Sequence, residues 1–188
     1  MKDRLGWLLP VVVVLVLALG VGAGIGVRIL AAQAGSDPAG GAVPTTTAAV
    51  PPPGPTGVTL SADAAAHPDG ARIQELLQRH FNAINNHDYA VWVSTVVARR
   101  IADTSEEDWQ QQYSTSRDGS IVVNRIEPAT GGQVVLISFT STQAPEDAPV
   151  NLPGADCVRW WVSYRVVTER GQPRIDAGVR NTTINAPC

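Results

Sequence analysis

The stretch RHFNAINNHDYAVW, residues 79–92, gathers His80, His87, Asp88 and Tyr89 into one short span. Two imidazoles and a carboxylate could hold a metal ion or pass a proton. Spacing disposes of the metal. On one continuous helix His80 and His87 share a face but stand about 10.5 Å apart along the axis, whereas two ring nitrogens on one zinc approach to about 4 Å. The sequence therefore predicts neither a metal site nor a cofactor. Asp88 reads as the N-cap of a second helix and His87 as a solvated turn residue, with Tyr89 and Trp92 packing at the junction. His80 differs, because it lies on an apolar stripe with Ile73, Leu76, Leu77, Phe81 and Ile84. It is expected to be buried, as a hydrogen-bonded core residue or as part of a pocket wall.

That stripe predicts an amphipathic helix of about five turns, opened by Asp69. A shorter helix follows over DYAVWVSTVV. A third begins at Thr104, where Thr104 and Glu107 have capping-box spacing, and carries Trp109 and Tyr113 at i and i+4. After the turn SRDG come strands at about 120–127 and 133–142. The segment CVRWWVSYRVVTE, residues 157–169, alternates cleanly: Val158, Trp160, Val162, Tyr164 and Val166 face one way, Arg159, Trp161, Ser163 and Arg165 the other. A hairpin turning at Gly171 and Gln172 would pair Tyr164 with Val179, Val166 with Ala177 and Thr168 with Ile175. In that register Cys157 faces Ala186, and a small bulge or a bend at Pro187 brings Cys188 within reach of a disulfide. Helices leading and an antiparallel sheet trailing make an α+β domain.

The rest of the chain concerns address. Residues 5–27 carry no charge and would span about 34 Å as a helix, enough to cross a bilayer. A cleaved signal peptide is the rival reading, through the small-x-small site Ala32, Gln33, Ala34, but the apolar run is long for one and Arg28 intervenes. Lys2 and Arg4 keep the N-terminus cytoplasmic and place everything after residue 34 outside. The expected organisation is a cytoplasmic tail and anchor at 1–34, a disordered Pro/Thr/Ala-rich linker at 35–66, and a domain at 67–188. Two cysteines in an extracytoplasmic segment favour a disulfide. Fourteen basic against seventeen acidic residues, with no basic stripe, argue against nucleic acid as a partner. The scarcity of lysine, present only as Lys2, suggests a GC-rich bacterial source.

The phrase RHFNAINNHDYAVW and the closing strand WWVSYRVV resemble the nuclear transport factor two-like superfamily, also called SnoaL-like or ketosteroid-isomerase-like, over about residues 69–185. The resemblance implies a curved sheet wrapped around the long helix as a cone, with a pocket lined by His80, Trp160 and Tyr164 and rimmed by Trp92, Trp109 and Tyr113. It also implies a homodimer through the sheet. An anchor followed by such a domain is similar in layout to Mce-associated membrane proteins and to an assembly component of type IV secretion systems. In isomerases of the superfamily a tyrosine at the matching helix position polarises the substrate, where this chain has His80. The companion base would be Asp103 or Glu106. Two functions follow as expectations. One is a tethered, non-catalytic binding or assembly module of a bacterial envelope, with a protein partner or an apolar ligand. The other is an isomerase or hydrolase that uses His80 and Asp103 on an apolar small molecule.

Overall fold

The computed structural model describes residues 52–188, so the expected anchor at 5–27 and the first part of the linker lie outside the described residues. Among the described residues, no helix is long and apolar enough to cross a membrane. Among these residues the fold is α+β: five α-helices and six strands, in the order β1 (Thr59–Leu60), α1 (Ala62–Ala66), α2 (Gly70–Asn85), α3 (Tyr89–Val93), α4 (Ala98–Ala102), α5 (Glu106–Tyr113), β2 (Arg117–Ala129), β3 (Gly132–Thr142), β4 (Cys157–Glu169), β5 (Gln172–Gly178) and β6 (Ile184–Pro187), with one 3-10 turn at Pro145–Asp147 between β3 and β4.

The apolar stripe does form α2, which buries Ile73, Leu76, Leu77, His80, Phe81 and Ile84. Asp69 occupies the N-cap position but makes no capping bond; its carboxylate accepts from Gln133 Nε2 at 2.6 Å, tying the helix start to β3. At the other end the chain closes a Schellman turn. Asp88 N–H donates to the Ala83 carbonyl at 2.8 Å and His87 N–H to the Ile84 carbonyl at 3.1 Å, with His87 left-handed at φ 54°. Asp88 then caps α3, accepting from Val91 N–H at 2.9 Å. RHFNAINNHDYAVW is thus a helix joint in which one residue ends a helix and the next begins another.

The cap of α5 falls one residue later than the capping-box spacing suggests: Ser105, not Thr104, accepts from Asp108 N–H. Helix α4 was not anticipated, since ARRIA is too short to show a period.

The sheet is curved, and it is mixed rather than wholly antiparallel. Its order is β1-β2-β3-β4-β5, with β6 also pairing along β4, and β1 runs parallel to β2. This puts residues from 52 onward inside the fold, not in the linker expected as far as residue 66. Val58 and Ala64 are buried, Thr59 and Leu60 pair with Val122 and Val123, and Ser61 caps α1. Ser120 N–H donates to the Pro55 carbonyl at 2.7 Å. Proline-rich composition hid three apolar side chains able to repay ordering.

The β4–β5 hairpin turns at Arg170 and Gly171, one residue earlier than expected. Both have positive φ, 53° and 77°, the geometry of a type I′ turn. Val166 consequently meets Ile175, Thr168 meets Pro173, and Tyr164 meets Gly178. The shift from the expected register is two residues for the first two pairs, so the predicted faces survive. After Val179, whose N–H still donates to the Ser163 carbonyl at 2.8 Å, residues 180–183 leave the ladder, and β6 rejoins β4 with Val158 opposite Pro187 and Arg159 opposite Ala186. This second offset brings Cys188, not Ala186, opposite Cys157. The disulfide between them has a Cα–Cα distance of 5.4 Å.

Candidate functional site

A cavity of about 360 Å³ opens between α2, α5 and the inner face of β2, β3 and β4, within the usual range of small-molecule sites. The alternation of β4 supplies Trp160, Val162 and Tyr164; β3 supplies Phe139 and Ser141; α2 supplies Phe81 and Ile84. Tyr113 enters from the last turn of α5. Phe139 stacks on Trp160 with centroids 6.3 Å apart and meets Phe81 edge-on at 5.1 Å, which fixes the apolar wall.

Among the polar side chains of the lining, which include Gln112, Gln143 and the carboxylate of Asp147, the buried carboxyl group is that of Asp118, at the start of β2, which the sequence reading passed over as part of a turn. Its side chain is buried and accepts a hydrogen bond from Ser141. Burial pushes its carboxyl up to about 6, against the weaker opposing effect of Ser141. Asn85 clamps the Asp118 backbone from both sides, accepting from its N–H at 2.7 Å and donating to its carbonyl at 2.9 Å. Burial also raises the Tyr164 and Tyr113 phenols, which stay protonated donors.

Of the residues expected in a pocket, Trp160, Tyr164 and Tyr113 line the cavity. His80 stands behind Tyr164, with ring centroids 6.1 Å apart. It is buried, and its Nδ1 lies 2.8 Å from Thr95 Oγ1. Desolvation, assisted by the Arg100 charge, lowers its pKa to about 3, so it is a neutral imidazole. Trp92 and Trp109 are buried in an aromatic layer with Tyr89 and Tyr113, their own centroids 5.7 Å apart. They support the Tyr113 side of the cavity instead of rimming its mouth. Asp103 is exposed at the end of α4 and Glu106 exposed at the start of α5, and the structure brings neither to the cavity with His80.

Arg100 was also missed. Helix α4 turns Arg99 outward to Asp176, at 2.6 Å, while the Arg100 guanidinium lies over the Trp92 ring, 5.5 Å from its centroid. Its Nη1 is buried without a partner among the described residues, as are Trp92 Nε1 and Trp109 Nε1. A buried donor left unpaired costs about 1–3 kcal/mol.

Among the described residues no cluster of three or more His, Cys, Asp or Glu could hold a metal ion. The arrangement can enclose an apolar molecule, hydrogen-bond it through two phenols, and offer a carboxyl that titrates near pH 6. No protein-family profile, characterised protein or solved structure matches this chain.

Proposed function

We propose that the chain is a membrane-tethered, extracytoplasmic binding module of a bacterial cell envelope that takes an apolar small molecule in this cavity without transforming it. The observation that carries the reading is the cavity itself: aromatic and aliphatic walls with a few buried polar groups, the pattern of a ligand site. The resemblance to the nuclear transport factor two-like superfamily supports a cone closed around α2. The Cys157–Cys188 disulfide supports an oxidising compartment. The uncharged run at 5–27, with Lys2 and Arg4 before it, supports an uncleaved anchor with a cytoplasmic N-terminus. A reporter active only in the cytoplasm, fused after Cys188, stays silent on this reading. Activity from it removes the extracytoplasmic assignment.

A second reading, an isomerase or hydrolase of the same superfamily, is favoured by Asp118. A buried carboxyl with a pKa near 6, beside two protonated tyrosines, is suited to general base catalysis. On that reading the base is Asp118, while His80 and Asp103 have no direct part. Incubation of the full-length protein with ketosteroid and epoxide substrates separates the two. Unchanged substrate agrees with a binding module, and turnover that disappears in Asp118→Asn establishes the enzyme.

A further inference from the structure

Asp118 lines the cavity while only 4% exposed, and Ser141, which donates to its carboxylate, lines the cavity too. Asn85 takes up the backbone groups of Asp118 and leaves its side chain alone. No ion pair among the described residues includes this carboxylate. Two carboxylate oxygens offer about four acceptor positions, so one hydroxyl donor leaves most of that capacity unmet. Burial of a charge in that condition is costly until a donor of opposite charge arrives. The lining supplies none: it contains no Lys, Arg or His, and its second carboxylate, Asp147, is exposed. Arg100 lies over Trp92, a ring outside the lining. The walls are themselves suited to a cation, since Phe81, Tyr113, Phe139, Trp160 and Tyr164 all contribute rings, and aromatic faces attract a positive charge that has shed its water. Carboxylate and walls therefore favour one sign of charge.

We infer that the ligand of this cavity is an apolar molecule bearing one amine, bound as its ammonium ion. The ammonium donates a charge-assisted hydrogen bond to the Asp118 carboxylate. The hydrocarbon lies along Phe81, Phe139, Trp160 and Val162. Asp118 is then the residue that selects amine over neutral analogue, because a neutral head group leaves its charge without a counter-charge, and it rejects an acid by like-charge repulsion. This names a ligand class for the proposed binding site and rests on that reading.

The test is calorimetric titration of the full-length chain in phosphatidylcholine nanodiscs with decylamine, decanamide and decanoate, the heats of empty nanodiscs being subtracted. At about pH 8 decylamine is protonated and Asp118, pushed up to about 6 by burial, is ionised. The wild type is expected to bind decylamine about tenfold or more tightly than decanamide, the scale of one charge-assisted hydrogen bond, and decanoate most weakly of the three. Asp118→Asn should bring the decylamine and decanamide affinities within about twofold of each other, and a preference that survives in this variant overturns Asp118 as the partner. Equal affinity of the wild type for decylamine and decanamide, or tighter binding of decanoate, overturns the amine assignment and leaves the binding site standing; this comparison needs no variant to fold. Binding of none of the three overturns the site and the assignment together.

Discussion

His80 donates to Thr95. The Thr95 hydroxyl itself donates to the Trp92 carbonyl at 2.7 Å, so its oxygen is left to accept from His80 Nδ1–H at 2.8 Å. This chain joins α2 to the end of α3 through the protein interior, and it assigns His80 a structural role. Thr95→Val leaves the imidazole N–H unpaired in a buried site and is expected to lower unfolding free energy by about 1–3 kcal/mol. Urea denaturation measures it, and an unchanged midpoint would remove the bond from the account.

Two buried groups give opposite pH dependences. His80 is depressed from 6.5 to about 3, so the stability it contributes is complete above 6.5 and is lost as pH falls through that window. Asp118 is raised from 3.8 to about 6, so its contribution is complete below 3.8 and is lost as pH rises through 6. Between pH 4 and 6 the two oppose each other. Asp118→Asn removes one side, and its stability should then fall more steeply than wild type from pH 6 to 4, by about 2–3 kcal/mol over the interval. Parallel curves of melting temperature against pH for the two proteins contradict the Asp118 assignment.

His87 holds a left-handed conformation at the C-terminus of α2 that glycine adopts without strain. Its half-buried ring is within hydrogen-bond distance of Arg117 Nη1, at 2.9 Å. His87→Gly is expected to stabilise by up to about 1 kcal/mol. A loss of stability would mean that the contact with Arg117 outweighs the backbone strain.

The Cys157–Cys188 disulfide closes a loop with a sequence separation of 31. On the chain-entropy account it contributes about 3–4 kcal/mol. Unfolding in urea with and without reductant should differ by that amount, and coincident transitions contradict it.

How much of this was legible depended on whether chemistry followed the local period. The inward set Trp160, Val162 and Tyr164 was readable because β4 alternates without interruption along its length. The hairpin register was not, because Arg170 takes a positive φ that nothing in an arginine announces. Asp118 was hidden by a similar effect. Counting back from the buried Ile121 and Val123, it should face outward, but the irregularity between Gly119 and Val122, where Ser120 has φ 51°, reverses the phase and turns it in. Arg100 was hidden because a five-residue helix gives no periodicity to say which of Arg99 and Arg100 faces the core. Both residues therefore sit where backbone irregularity or brevity breaks the pattern.

The central claim is that the cavity between α2, α5 and the sheet is a binding site, and its mouth offers a direct test. Thr183 lines it and is exposed, so Thr183→Trp can obstruct entry without disturbing the core. Calorimetric titration of the full-length protein with decanamide, an uncharged amphiphile, should show affinity reduced about tenfold or more in Thr183→Trp at unchanged melting temperature. Equal decanamide affinity in the two proteins contradicts the claim.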